Sequence, residues 1–433
     1  VIFYSELKIN NNRKEMIIIL EQNKIYLGDN LELLRQLDNN SIHSCVSDFP
    51  YNLGFMGKKW DTIQNYYQWN YDRAKELLRV LKPGGYCLIF GGTRTHHRLV
   101  CAFEDAGFQI KDEMQWIYGS GFPKSYNISK GFDKKVGAKR EVIGEYKHPT
   151  AKNGDRTGNK SPYQAENCHL DGSYELTSPT TKLAKQWDGW GTALKPAQEP
   201  IMVAQKPIEK NYCYNIEKYG VGGININDCR IPFAENDDKR IGKGYSHNAK
   251  AGLEIGEHKD NSNGEKQQLH NDNGRFPANI IFDEESAKLL DEQSGILKSG
   301  AIKKGQPAGT DWKSGDISHE RLEGRKIQPK DIPSSEGGAS RFFYCAKASK
   351  KDKTENNQIE NKHPTVKPTE LIKYLVKLVT PPKGICLDIC EGSGTHIKAI
   401  LQLNKEGFNF NYIGFENDEE SYKIACQREK LNK

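Results

Sequence analysis

No two of the ten cysteines form a Cys-x-x-Cys pair, so neither a zinc motif nor a disulfide framework is indicated. They read as free thiols in a reducing, cytoplasmic setting. Long apolar runs are missing too. The longest near the start, Met16-Ile17-Ile18-Ile19-Leu20, falls well short of the roughly 20 residues that cross a bilayer. No signal peptide is visible, and no internal repeat, metal site or membrane partner is expected. At 36% hydrophobic and 28% charged over 433 residues, disorder along the whole chain is excluded. The length fits one large α/β domain with an insertion, or two to three ordinary domains. Charge is unevenly placed. Residues 121–160 hold ten Lys and Arg against four Asp and Glu, a surplus equal to the +6 of the entire chain. Such a Gly- and Lys-rich segment suits a loop laid along a phosphate backbone as well as an ordinary solvated loop.

Ordered structure is expected at the two ends of the chain. Residues 24–118 alternate short apolar runs (24–27, 44–47, 86–90, 109–117) with helical spacing, as in Tyr71, Ala74, Leu77, Leu78 and Leu81. After residue 360, an amphipathic helix over 371–379 precedes strands at 385–388 and 411–415. Alternating strands and helices predict a parallel, doubly wound sheet. The middle is rich in Pro, Gly, Asn and Lys, with islands of pattern at 199–205 and 279–293. The expected division is an N-terminal lead (1–20, no function assigned), a catalytic half (21–120), a basic loop and target-recognition insertion (121–345) and a cofactor-binding half (346–433).

Three constellations carry chemistry. In the first, Asp388 ends a strand and Cys390, Gly392, Ser393 and Gly394 lead into a helix, a turn that lets backbone approach a nucleotide-like ligand. The following strand ends in Glu416, placed to accept ribose hydroxyls. The second is Asp48-Phe49-Pro50-Tyr51 after a buried strand. Asp48 and the Phe49 carbonyl suit the two protons of a flat, delocalised amine, and Tyr51 suits stacking on a flipped base. The third is His363-Pro364-Thr365-Val366-Lys367-Pro368 before the 371–379 helix. Each alone also fits an ordinary turn or linker. Adjacent His96 and His97 point apart on a helix, so surface positions are expected. Trp116, Trp187 and Trp190 fit base stacking or ordinary packing.

In this order the three resemble the permuted β class of DNA amino-methyltransferases, adenine-N6 or cytosine-N4 type. There the Asp-Pro-Pro-Tyr motif comes first, a target-recognition region follows, and His-Pro-Thr-x-Lys-Pro and Gly-x-Gly close the chain. Tyr26-Leu27-Gly28-Asp29-Asn30, Leu81-Lys82-Pro83-Gly84-Gly85 and Lys195-Pro196-Ala197-Gln198-Glu199-Pro200-Ile201 also look like this family. The resemblance implies a Rossmann-like, seven-stranded class I methyltransferase sheet holding S-adenosyl methionine or a modified analogue. It implies Gly392, Ser393 and Gly394 around the cofactor, Glu416 on its ribose, Asp29 on the adenine side, and Thr365 and Lys367 near its carboxylate. The implied partner is double-stranded DNA, with a restriction endonuclease as a further partner that no motif reveals. Asp at the head of the motif favours adenine. No proline precedes a cysteine, which excludes the Pro-Cys nucleophile of 5-methylcytosine enzymes.

The family pattern is broken at two places. Phe49 replaces Pro, and Ile389, Cys390 and His396 replace the usual Pro, Phe and Thr, with Glu391 in the variable position. Three readings stay open: drifted motifs, a modified sulfonium donor carrying a larger group, or a silent DNA-binding relative. If the motif has drifted, restoring Pro at position 49 is expected to keep or raise activity.

Overall fold

The computed structural model describes residues 20–54, 59–121, 125–147, 173–233, 274–299, 335–346, 352–361, 363 and 365–433. The lead up to residue 19, most of the polar stretch 235–275, Pro364, and the basic residues Lys124, Lys152, Arg156 and Lys160 lie outside them. In chain order the elements begin with β1 (Lys24–Leu27), α1 (Asn30–Arg35), β2 (Ile42–Asp48), α2 (Tyr66–Val80), β3 (Leu81–Phe90), α3 (His96–Ala106) and β4 (Gln109–Ile117). Then come α4 (Ile128–Lys135), β5 (Val142–Lys147), β6 (Ser173–Thr177) and α5 (Lys182–Gln186). They are followed by β7 (Gln198–Gln205), α6 (Tyr212–Tyr219), β8 (Ile280–Asp283), α7 (Glu284–Ser294), β9 (Leu297–Ser299), β10 (Ser335–Gly337) and β11 (Tyr344–Ala346). The last are α8 (Thr369–Val379), β12 (Ile385–Asp388), α9 (Thr395–Lys405), β13 (Asn411–Glu416) and α10 (Glu419–Asn432).

Nine of the described strands form one sheet in the order β1-β13-β12-β2-β3-β7-β4-β8-β11. Every pairing is parallel except the two made by β7. The seven from β1 to β4 make the expected class I sheet, and β8 and β11 extend it. Alternation along the strands sends successive side chains to opposite faces. Val46, Leu88 and Phe90 join Leu375, Val376 and Ile400 of α8 and α9 in one core. Cys45, Cys87 and Ile89 join Leu34, Leu77 and Phe103 of α1, α2 and α3 in the other. Helices cover both faces, which is why residues 86–90 of β3 and 385–387 of β12 read as unbroken apolar runs and why Ser44 and Ser47 of β2 are buried.

The chain divides into two compact units, residues 1–119 with 198–433, and residues 120–197. The expected insertion, 121–345, therefore does not hold together as one region: β7, β8 and β11 arise inside it and belong to the main sheet. Its island at 199–205 is buried on both faces, as a central strand requires, so it lacks the alternation that marks a half-exposed one. The smaller unit has its own polar centre. Asp133, 1% exposed, accepts from the main-chain N–H of Thr180 (3.1 Å) and Thr181 (3.0 Å) and pairs with Arg140 at 2.7 Å. His96 is not on the surface as expected. It is 8% exposed and meets Glu113 at 3.1 Å, tucked against Gly91, where a Cβ would lie 2.7 Å from its ring.

Candidate active site

The chain leaves β12 toward β13 on one side and leaves β2 toward β3 on the other, so β12 and β2 flank the point where the winding reverses. Open α/β sheets bind ligands at the carboxyl ends of such a pair. Here those ends are Asp388 and Asp48. Ser47 ties them together by donating to Asp388 Oδ1 at 2.6 Å.

On the β12 side the turn to α9 is shaped by two glycines. Gly392 and Gly394 hold φ of +58° and +89°, in the left-handed region that penalises a Cβ. At Gly394 a Cβ would also sit 2.8 Å from the Ala425 backbone of α10. The Gly392 N–H donates to Glu416 Oε2 (2.6 Å), while Asn417 and Asp418 N–H groups hold Oε1 at 2.9 and 2.8 Å. Burial outweighs these three bonds and pushes the Glu416 carboxyl up to about 7. Burial, reinforced by the charge of Glu391, also pushes Asp388 up to about 7. Arg428 of α10, fully buried, donates to Ser393 O and Thr395 Oγ1 at 3.1 Å each and pairs with Glu355 at 2.8 Å, clamping the turn from behind.

The two unusual residues of this motif are partners. Glu391 and His396 are buried together, with Oε2 and Nδ1 3.2 Å apart. Burial opposes the charged imidazolium, but Cys386 and Glu391 prevail and hold its pKa well above the usual range. Glu391 therefore lies inside the protein beneath the turn, and Gly414 makes room for it, since a Cβ there would fall 2.9 Å from its Oε2. Asp388, Glu391 and His396 have the donor types and proximity of a metal site. Asp388 Oδ1 and both Glu391 oxygens are engaged, with Ser47, the N–H groups of Cys390 and Ile397, and His396 Nδ1, while His396 Nε2 is buried without a hydrogen-bond partner among the described residues. The Cys390 thiol, raised by burial and by Asp388 and Glu416, stays protonated near the Asn30 amide at 3.5 Å. Asp29 caps α1 by accepting from Leu31 N–H at 2.9 Å and stands 3.5 Å from Arg73.

On the β2 side, residues 49–54 are fastened from several directions. Phe49 is 1% exposed and packs edge-on against Trp69, 5.6 Å between centroids, and against Phe103. The ring does by burial what proline does by fixing φ. Tyr66 donates to the Pro50 carbonyl at 2.9 Å, and Thr95 to that of Tyr51 at 2.7 Å. Asp61, 1% exposed, accepts the N–H groups of Asn52 (2.7 Å) and Leu53 (3.0 Å). Lys367 pairs with Asp48 Oδ2 at 2.5 Å and with Glu199 at 3.2 Å, and Glu199 accepts the Tyr51 hydroxyl at 2.7 Å. Asp48 Oδ1 is buried without a hydrogen-bond partner among the described residues.

Asn361, His363 and Lys367 bridge the halves. Asn361 donates to Ser393 at 3.1 Å, His363 borders Gly392, where a Cβ would lie 3.5 Å from its ring, and Lys367 reaches Asp48. The structure thus brings together Asp388, Cys390, Gly392, Ser393, Gly394 and Glu416 at one strand end, and Asp48, Pro50, Tyr51 and Lys367 at the next. Thr365 lies on the bridge, half-buried, and Asp29 at its helix cap.

A family model for N6/N4 methyltransferases, described as DNA methylase, matches residues 42–427. The chain belongs to that family. Among curated proteins, type II methyltransferase M.HindIII of Haemophilus influenzae is 24% identical over 245 residues, which is 47% of this chain and 65% of that protein. Type II methyltransferase M.HpaI of Haemophilus parainfluenzae is 27% identical over 133 residues, 29% of this chain and 39% of that one. The matches thus span less than two-thirds of these relatives' lengths. The solved PvuII DNA methyltransferase (cytosine-N4-specific) is 13% identical with a TM-score of 0.41, over 94% of this chain and 86% of that one.

Several residues of the site carry no mark in the sequence. Glu199 sits in a stretch that looks like the family, yet nothing there marks its carboxylate as part of the site. Asp61 and Thr95 carry no motif at all. The pairing of Glu391 with His396 had one signal, an acid in the motif's variable position five residues before a histidine that departs from it.

Proposed function

We propose that this chain transfers a methyl group from S-adenosyl methionine to the exocyclic amine of a base flipped out of duplex DNA, and that the base is adenine. The observation that carries the reading is Asp48 Oδ1: a buried acceptor with no partner among the described residues, at the end of the strand beside the cofactor turn. A buried acceptor is costly to leave unmet, and an amine N–H is the kind of group that would meet it. The Phe49 carbonyl is the natural acceptor for the second amine proton, because Tyr66 occupies that of Pro50.

The site's own residues fit the cofactor. The positive-φ turn at Gly392, half-buried before the start of α9, suits close approach of a ligand to backbone, and Glu416 Oε2, engaged by the Gly392 N–H, keeps one lone pair for a ribose hydroxyl. Bound there, the cofactor supplies an electrophilic sulfonium methyl. Asp48 need only accept hydrogen bonds and direct the nitrogen lone pair, because the proton leaves after the amine has turned cationic. The Tyr51 ring then holds the flipped base by stacking. Asp at the head of the motif favours adenine N6 over cytosine N4.

Mass analysis of nucleosides from DNA incubated with the protein and S-adenosyl methionine tests this. A methyl increment on adenine is expected. The same increment on cytosine would overturn the choice of base, and no increment on any base would overturn the reading.

A further inference from the structure

We propose that Glu199 is a positioning residue of the transfer site: it holds Lys367 and Tyr51 to one side, so that Asp48 meets the base with one oxygen free. The role rests on the amine-transfer reading above and adds to it a residue and a division of labour.

The position follows from topology. The ligand-facing edge of the sheet is formed by the carboxyl ends of its parallel strands. β7 runs the other way, so its first residues, not its last, reach that edge. Register shows this directly: Asp48 stands opposite Phe90, Phe90 opposite Ile201, and Glu199 lies two residues further toward the edge. An acid early in the one antiparallel strand therefore arrives beside an acid that ends a parallel one.

The charges explain what it does there. Lys367, 8% exposed, has two carboxylates within reach, Asp48 Oδ2 at 2.5 Å and Glu199 at 3.2 Å. Left with Asp48 alone, a flexible ammonium with three N–H donors would settle between both oxygens. That would cover the acceptor the amine needs. Glu199 draws the ammonium the other way and confines it to Oδ2. Its same Oε2 atom accepts the Tyr51 hydroxyl at 2.7 Å, which fixes the ring that follows Asp48 and Pro50 in the loop. Burial, with the charges of Asp48 and Glu199 added, keeps the Tyr51 hydroxyl protonated, so it remains a donor to Glu199.

Glu199→Gln tests the role, since it keeps shape and strand pairing but removes the charge that competes for Lys367. Lys367 and Asp48 stay paired in that variant, so no unpaired charge is buried. Single-turnover methyl transfer is expected to fall about tenfold or more, with S-adenosyl methionine and duplex affinities within about twofold of wild type. A purely structural glutamate would show the opposite pattern, a lower melting temperature at an unchanged rate. A double-mutant cycle with Tyr51→Phe adds a second readout, because residues acting as one unit give losses that do not multiply. Wild-type transfer by E199Q, or losses that multiply independently, would overturn the role and leave the amine-transfer reading standing. A wild-type protein that modifies no base would overturn both.

Discussion

Asp48 has two oxygens in different circumstances, one on Lys367 and one unmet among the described residues, and this asymmetry is the site's central chemical feature. Asp48→Ala removes the acceptor and is expected to lower kcat about a hundredfold or more, while calorimetry shows cofactor affinity unchanged. Full activity in that variant ends the acceptor role. Phe49 bears on the same loop. Sequence comparison alone recommends Phe49→Pro as a repair, but the ring is a core side chain packed on Trp69 and Phe103. Its loss is expected to cost about 3–5 kcal/mol and to appear as a lower melting temperature with no gain in rate. Glu416 gives a pH signature. Burial raises its carboxyl from an ordinary 4.5 to about 7, so the folded chain holds this proton more tightly than the unfolded one. That contribution to stability is present at low pH and fades as pH rises through about 7. Ribose hydroxyls donate to the anion, so cofactor affinity should climb from pH 5.5 to about 7, with a proton released on binding. Because Asp388 titrates in the same range, the assignment rests on Glu416→Gln, whose affinity should be weaker and lack that step. At this scale the sequence was legible wherever a residue's role is local, as for the glycines of the turn. It was silent on Glu199 and Asp61, whose roles exist only through residues brought to them by the fold.

The elements around the site are stiff connectors between strand ends. Strands at 24–27, 44–47, 385–388 and 411–415 were readable because each is a short stretch of apolar or small residues bounded by turn residues. The short β8 was marked only within the island at 279–293 and β11 not at all, since three or four residues carry too little pattern to define a strand. The β12–α9 connection is the one whose motif departs most from its family, and its departures compensate. Removing one partner of a buried pair leaves the other charge stranded, at about 3–5 kcal/mol. His396→Thr, the family residue, should therefore lower the melting temperature of the cofactor-free protein. Adding Glu391→Gln should recover much of the loss. If the double variant is no more stable than His396→Thr alone, Glu391 and His396 are not acting as a pair.

For the whole molecule, the proposed duplex substrate is a long polyanion, which calls for basic surface. The basic residues of 121–160 fall in the smaller unit, where Arg140 is committed to Asp133, while Lys130, Lys135 and Lys139 are exposed. We expect these lysines to contact phosphates. Changing all three to Gln should weaken duplex binding and flatten its log–log salt dependence by about 0.9 for each phosphate no longer neutralised. An unchanged slope would remove the smaller unit's lysines from the DNA interface. The central pairing of β2 with β12 has a consequence for how the protein is made. Ser47 and Asp388 touch across 341 positions of sequence. At about 5–20 residues per second of synthesis, roughly 17–70 s separate their appearance. Throughout that interval β2 has β3 on one side and a bare edge on the other, the kind of edge that recruits strands from neighbouring chains. The strand that ends in Asp48 thus keeps one adhesive edge on the nascent chain until β12 covers it.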